Sequence, residues 1–149
     1  MNLSNGVLLG LVDGLATTFL PEERRRCHEL RMQRFTDLKL WQRAHALVLE
    51  VYRISAGFPA EERFALTSQL RRAVTSVPAN IAEGSRRKGQ QEYSRFLNIA
   101  QGSAAEAEYL LILSRDVGYL SPSAFDRLVA DLDEVARMLQ GLRSKVDGA

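Results

Sequence analysis

Apolar residues recur at steps of three and four positions from residue 38 to residue 146, and this period constrains the fold more than any other feature. Such spacing places apolar side chains on one face of an α-helix, whereas a half-buried strand alternates them at every second position. No strand-like alternation interrupts the pattern. The sequence therefore predicts an all-α protein.

Turn residues divide the periodic region into four helical segments. The predicted helices run over about 38–55, 61–84, 90–117 and 121 to the end of the chain. Gly57 follows the first, Gly84 closes the second, Gly118 caps the third, and Ser121-Pro122 opens the fourth. Short connections place each helix antiparallel beside the previous one. The pattern predicts an antiparallel up-down-up-down four-helix bundle in a single domain.

Two residues inside the predicted helices require a structural explanation. Pro78 lacks a backbone donor and crowds the preceding turn, so the second helix should kink, or break briefly over 75–77. Gly102 lies within the third helix, where glycine costs about 1 kcal/mol relative to alanine. A close crossing by a neighbouring helix explains Gly102 better than a functional hinge does.

Residues 1–31 lack the three- and four-residue apolar period of the predicted helices. They combine turn residues, a weak apolar run over 7–20 and a charged cluster over 22–26, and a helix over 21–33 is the one element expected there. The apolar run is shorter than the roughly 20 residues that span a bilayer. Met32 directly precedes the first bundle segment. We therefore expect an extension over 1–31, either an appendage or a misassigned start, whose deletion leaves the bundle over 32–149 folded and assembled.

Few side chains in this sequence could carry catalysis. Cys27 is the single cysteine, which allows neither an internal disulfide nor a zinc site of its own. His28 and His45 do not have the spacing of two ligands on one helix face, and His45 is expected to be half-buried and structural. Metalloprotease, CxxC and glycine-rich phosphate-loop motifs are missing. We expect a cytoplasmic protein without enzymatic activity, cofactor, metal or membrane span.

Cationic residues gather in the middle of the chain. Residues 34–96 hold eleven Lys/Arg against six Asp/Glu, whereas 97–149 hold five against eight. Arg86-Arg87-Lys88 fall in the loop before the third helix, whose N-terminal dipole adds positive potential. This pattern predicts a surface that binds nucleic-acid phosphates. The predicted nucleic-acid-binding residues are Arg71, Arg72, Arg86, Arg87, Lys88 and Arg95.

The same stretch also has a purely structural interpretation. Arg71 and Arg72 point about 100° apart on a helix, so one of them can lean toward the bundle. Asn80 and Glu83 could satisfy that inward arginine and brace the kink. At the level of sequence, both interpretations remain open.

Six blocks in this sequence, in order and at fixed spacing, resemble a known family. They are Phe35-x-Asp37-Leu38-x-x-Trp41-Gln42-x-Ala44, Phe58-Pro59, Gln69-Leu70-Arg71-Arg72-Ala73, Ser76-Val77-Pro78-Ala79-Asn80-Ile81-Ala82-Glu83-Gly84, Glu92-Tyr93-x-x-Phe96-Leu97 and Ala100-x-Gly102-Ser103. They are similar to the bacterial four helix bundle proteins, also labelled proteins of intervening sequences in 23S ribosomal RNA. The resemblance covers about residues 32–142; Ala65 stands where the family usually has glycine, and 1–31 have no counterpart.

That resemblance implies a homopentameric ring with a basic surface and an association with structured RNA loci. It also implies kinship with accessory proteins of diversity-generating retroelements, which partner a reverse transcriptase and its RNA. Two functions remain open: an accessory protein that binds an RNA or DNA backbone, and a structural or protein-interaction oligomer. Independently of the family, we expect self-association, because four apolar residues lie off the main stripes and would otherwise be exposed. These residues are Leu40, Ile54, Leu113 and Met138.

Overall fold

A computed structural model describes residues 34–148 together with Glu22 and Arg25. It contains four long helices, α1 (Lys39–Ser55), α2 (Leu66–Arg86), α3 (Gln90–Asp116) and α4 (Pro122–Asp147), and two short 3₁₀ turns, Phe35–Asp37 and Ala60–Glu62. The described residues include no strand, so the all-α, four-helix prediction is confirmed. The predicted extension, with Cys27, His28 and the helix over 21–33, lies outside the described residues, Glu22 and Arg25 excepted.

Capping residues set the ends of α3 and α4 as predicted. The Ser121 hydroxyl accepts a hydrogen bond from the Ala124 N–H at 3.2 Å, and Pro122 occupies the first helical position, where its missing donor costs nothing. Gly118 follows α3 with a φ of 84°, a left-handed conformation that glycine adopts without strain.

The start of α2 differs from the prediction. Residues around Glu61 form a 3₁₀ turn instead of the first turn of the helix, and α2 begins at Leu66. The Glu62 carboxylate accepts the Leu66 N–H at 3.2 Å, so it satisfies one of the unpaired donors at the helix start. Glu62 therefore caps α2 from outside the helix.

Helix α2 continues unbroken through Pro78 to Arg86, so the predicted break over 75–77 is wrong, while a bend at Pro78 stays a prediction. Gly84 does not end the helix. It is buried, and a Cβ there would lie 2.8 Å from the Phe96 Cβ and 2.9 Å from the Tyr93 ring. Gly84 thus permits the close approach of α2 and α3.

The predicted close crossing at Gly102 is wrong for this chain. A Cβ at that position would meet no atom within 4 Å in the described part of the chain, and Gly102 is exposed. The close crossing occurs at Gly84 because that residue lies on the face of α2 that packs against α3.

The apolar stripes of the four helices meet in one core. Its most completely buried aliphatic residues include Leu70, Val74, Val77, Ile81, Leu97, Leu111, Leu128 and Leu139. None of the described helices is long and apolar enough to cross a membrane.

The four residues expected to be exposed are largely covered. Leu40 is buried, and Ile54, Leu113 and Met138 pack against the core while partly exposed, so that expectation is wrong. The buried face of each helix is wider than a narrow stripe, because neighbouring helices also cover its flanks. Tyr52 in α1 is 43% exposed.

Contacts between neighbouring helices run in opposite order along the chain. Arg43 pairs with Glu134, and seven residues further along α1, Glu50 pairs with Arg127. Gln90 at the start of α3 donates to the backbone carbonyl of Val146 near the end of α4. The helix termini therefore gather at two ends of the bundle.

Candidate nucleic-acid interface

Charged residues are distributed unevenly between the two ends of the bundle. One end consists of residues 34–43, 80–98 and 139–148, and it holds nine Lys/Arg against four Asp/Glu. We call it the basic end. The other consists of 49–71 and 108–127, and it holds five Lys/Arg against six Asp/Glu. We call it the balanced end.

Arg86 is the last residue of α2, Arg87 and Lys88 lie in the connection to α3, and these three basic-end cations have different partners. Arg87 pairs with Glu83 one turn earlier and lies 5.2 Å from the centre of the Phe96 ring. Arg86 lies 5.9 Å from the centre of the Phe35 ring, and neither Arg86 nor Lys88 pairs with a carboxylate in the described ranges. Both side chains are exposed. Their positive charges are therefore available to a ligand.

Arg95 extends this cationic surface along α3. Its nearest carboxylate is that of Glu92 at 3.6 Å, a solvent-exposed pair of the kind that contributes little energy. Arg95 also lines a polar cavity of about 720 Å³ between the start of α3 and the end of α4. The other polar residues of that cavity include Gln91, Asn98 and Arg143.

Arg143 is a basic-end residue that the sequence did not point to. Its Nη1 donates to Asn98 Oδ1 at 2.9 Å and to Gln101 Oε1 at 2.8 Å. These amide oxygens are neutral, but Arg143 Nε also forms an ion pair with the Asp147 carboxylate at 3.6 Å. Arg143 follows Arg95 by 48 positions, so only the packing of α4 against α3 brings the two together.

Arg71 and Arg72 do not join this surface. They precede Arg86 by 15 and 14 residues on the same helix, which places them roughly 20 Å from it. Arg71 Nε donates to Ser55 Oγ at 2.8 Å, so it links α2 to α1 at the balanced end. Arg72 is exposed. Within one copy of the chain, the six cations therefore do not form a single cluster, and their nucleic-acid binding stays a prediction.

The predicted network of Asn80 and Glu83 around an inward arginine is also wrong. Asn80 donates to the Ser76 carbonyl at 2.7 Å and to the Ser76 hydroxyl at 2.9 Å, and Glu83 pairs with Arg87. Arg71 and Asn80 are nine positions apart, which puts them on opposite sides of α2. Asn80 therefore supports the α2–α3 contact, where the Ser76 and Ser103 hydroxyls share a hydrogen bond.

Three of the five arginines at the balanced end form ion pairs. Arg53 and Arg127 both pair with Glu50, and Arg115 pairs with Asp116 at 2.9 Å. Hydrogen bonds from Arg53 are the main cause that lowers the pKa of Glu50 below its ordinary value, with Coulombic attraction from Arg53 and Arg127 adding to it against desolvation. Each of these three arginines therefore has a carboxylate partner, whereas Arg86 and Lys88 at the basic end have none in the described ranges.

His45 and the acidic side chains are the possible metal ligands in the described part of the chain. His45 is exposed and stacks on Trp41 with ring centres 5.0 Å apart, so the expectation of a half-buried histidine is wrong. Within residues 34–148, His, Cys, Asp and Glu form no group of three or more that could hold a metal ion.

Comparisons with known proteins agree with the fold. Residues 36–141 match the family described as 23S rRNA-intervening sequence protein. A search of curated proteins found no match. A crystal structure of a protein of unknown function from the S23 ribosomal protein family of Bacteroides thetaiotaomicron superposes with a TM-score of 0.66 at 23% identity. The match covers 70% of this chain and 97% of that one.

The family match spans more than two thirds of the chain and includes α1, α2, α3 and most of α4. The chain therefore belongs to the family of 23S rRNA-intervening sequence proteins.

Proposed function

We propose that this protein is a non-enzymatic accessory protein that binds the phosphate backbone of structured RNA at its basic end. The carrying observation is the excess of nine Lys/Arg over four Asp/Glu at that end. Arg86 and Lys88 contribute exposed charges that no described carboxylate neutralises. Cations that contact phosphates release condensed counterions, and this release supplies most of a sequence-independent affinity. The description of the family by 23S rRNA is consistent with an RNA ligand.

Recognition by this surface would depend on shape and charge. The loop cations precede α3, a 27-residue helix whose N-terminus carries partial positive charge. Arginine presents a planar fork of donors that matches phosphate oxygens. No base-reading motif accompanies these residues, so we expect little sequence preference. Structured RNA should bind at least as well as duplex DNA.

A charge-matched pair of triple variants tests the proposal. Replacement of Arg86, Arg87 and Lys88 by glutamine should weaken binding to a structured RNA at low salt. It should also reduce the slope of log affinity against log salt by about 2 to 3, since each phosphate contact contributes about 0.7 to 0.9. The control replaces Arg53, Arg115 and Arg127 at the balanced end by glutamine, which removes the same charge and should leave binding near that of the parent.

Fluorescence anisotropy over a salt series measures both quantities, and circular dichroism verifies that each variant remains helical. Equal affinity of parent and basic-end variant across low and moderate salt would reject the proposed interface. Equal losses in the two triple variants would show that only net charge matters, and that no surface is specific.

A second candidate function is self-assembly through the outer face of α3. Ile99 is 39% and Tyr109 61% exposed, and Gly102 lies between them on the same side of the helix with open space above it. A second copy packed there would cover these apolar side chains and would explain the glycine. The family resemblance suggests a pentamer.

Light scattering at micromolar concentration should give an oligomer that Tyr109→Glu dissociates. A monomeric parent would contradict this candidate.

A further inference from the structure

A second cavity lies at the balanced end, where the end of α1, the α1–α2 connection and the start of α2 meet. Its volume is about 260 Å³, against the roughly 30 Å³ that one water occupies in the liquid. The polar side chains that line it are those of Ser55, Arg63, Thr67 and Arg71, and no carboxylate is among the lining residues. The cavity is therefore a cationic site with room for a small ligand.

Arg71 is held in this cavity by neutral groups. Its Nε donates to Ser55 Oγ at 2.8 Å and its Nη2 to the Tyr52 carbonyl at 3.4 Å, while the guanidinium lies 4.6 Å from the centre of the Tyr52 ring. In contrast to Arg53 and Arg127, it pairs with no carboxylate of the described chain. The side chain is thus fixed in place with its charge uncompensated.

Thr67 supplies an independent sign of a missing partner. The residue is only 6% exposed, it lines the cavity, and its hydroxyl oxygen has no hydrogen-bond partner among the residues described. A buried hydroxyl without a partner is costly, so native structures rarely leave one unless a ligand or water satisfies it.

The start of α2 adds backbone donors beside Thr67. The Gln69 N–H donates to the carbonyl of Ala65, which directly precedes α2, and Glu62 accepts the Leu66 N–H. The N–H groups of Thr67 and Ser68 come between them in the first turn, where a helix offers no carbonyl partner. Such donors, together with the positive end of the helix dipole, favour an anion.

We propose that this cavity binds the phosphate group of a small phosphate ester or of a nucleic-acid terminus. Arg71 and Arg63 would supply the positive charge, and the Thr67 hydroxyl with the adjacent N–H groups would supply neutral donors to the phosphate oxygens. Glu62 already occupies the first N–H, so the affinity for inorganic phosphate alone should be modest, with a Kd on the order of 1 mM. The site is separate from the basic end and does not depend on the proposed RNA interface.

Titration of the full chain with inorganic phosphate at constant ionic strength, followed by ¹⁵N–¹H NMR, tests the site. The Thr67 and Ser68 amide signals should shift and saturate. Arg71→Gln should weaken binding at least about tenfold, as expected for a charge-assisted hydrogen bond. Arg72→Gln is the matched control: it removes the same charge from the neighbouring position, lies outside the cavity lining, and should bind like the parent.

Thr67→Val separates binding from folding. It replaces the buried hydroxyl by a methyl group of similar size, so the melting temperature without phosphate should stay the same or rise, while phosphate affinity falls about 2- to 10-fold. A purely structural hydroxyl would not give these opposite changes. This variant also decides the question if Arg71→Gln fails to fold. Unsaturable shifts in the parent, or unchanged affinity in Thr67→Val, would overturn the proposal.

Competition identifies the source of the phosphate. Displacement of inorganic phosphate by a 5′-phosphorylated oligoribonucleotide, and not by the same strand with a 5′-hydroxyl, would assign the site to nucleic-acid ends. Displacement by ribose 5-phosphate at similar concentration would assign it to free phosphate esters. The triple variant at Arg86, Arg87 and Lys88 should retain phosphate binding here, because the cavity lies roughly 20 Å from that loop along α2.

Discussion

The two ends of the bundle use similar side chains in different ways. At the basic end, Gly84 lets α2 and α3 pack closely, and cations such as Arg86 and Lys88 stand outside that tight contact without carboxylate partners in the described chain. At the balanced end, three of the five arginines pair with acids, and the helices leave a cavity beside Arg71. One end therefore offers an exposed charged surface, and the other offers a cationic pocket.

This difference shows that a cluster of arginines in the sequence does not by itself define a site. Arg71 and Arg87 belong to the same stretch of chain, yet one is fixed by neutral oxygens in a pocket and the other is paired with Glu83 on the surface. The environment of each cation decides whether its charge can serve a ligand.

The largest expected effect concerns the tight contact at the basic end. Gly84→Ala should lower the free energy of unfolding by about 1–3 kcal/mol, because the new Cβ would overlap Phe96 and Tyr93 within a packed contact. Urea denaturation of the variant and the parent measures this difference.

Gly102→Ala is the matched control in α3. The added Cβ meets open space, so the variant should gain about 0.5–1 kcal/mol from the better helix propensity of alanine. A loss of stability at Gly102 would show that another copy covers this face in solution, and unchanged stability at Gly84 would show that the two helices can separate without cost.

A smaller effect is expected at the ion pairs of the balanced end. The pKa of Glu50 is lowered in the folded protein, so its charge adds stability above the ordinary value of 4.5, and this contribution is lost as the pH falls through the lowered pKa. Glu50→Gln should therefore lower the free energy of unfolding at neutral pH by about 0.2–1 kcal/mol, as for a surface pair. The difference in unfolding free energy between Glu50→Gln and the parent should vanish below the lowered pKa of Glu50.

Thermal unfolding of Glu50→Gln and the parent over a pH series measures this effect. Glu134→Gln, which breaks the exposed pair with Arg43, is a comparison variant with the same change of charge. If Glu50→Gln and the parent differ in stability by the same amount at all pH values, the difference arises from packing and not from the charge of Glu50.

The smallest effect concerns Tyr119, beside the Phe58 ring at the balanced end. Burial, followed by the hydrogen bond to Glu62 and the charges of Glu62 and Glu61, raises the pKa of Tyr119 above its ordinary value of 10.0. The protonated Tyr119 phenol therefore adds to the free energy of unfolding below pH 10.0, and this contribution is lost as the pH rises through the raised pKa. Tyr119→Phe should therefore reduce the alkaline loss of stability.

Ultraviolet titration of tyrosinate follows this group directly, and the late-titrating phenol should be absent from Tyr119→Phe. Tyr109→Phe, at an exposed tyrosine, should retain it. An unchanged late titration in Tyr119→Phe would assign that phenol to another tyrosine and remove Glu62 as its partner.

Local features of the fold were predictable because they depend on neighbours in the sequence. The Ser121-Pro122 start of α4 and the left-handed Gly118 after α3 follow from capping chemistry within a few residues. Features that depend on which helix face packs against which neighbouring helix were not predictable from the sequence. Gly102 and Gly84 have the same propensity, and only the packing of α3 on α2 shows which one a Cβ would disrupt.

The candidate sites divide in the same way. The sequence by itself determined the four amphipathic helices and the cationic loop at Arg86, Arg87 and Lys88, because periodicity and local charge are properties of contiguous residues. Only the tertiary structure shows that Arg143 lies beside Arg95 and that Arg71 lines a separate pocket with Thr67. It also shows that Leu40 is buried. These outcomes depend on which faces of helices distant in sequence pack against one another. The spacing of residues along the sequence does not specify that packing.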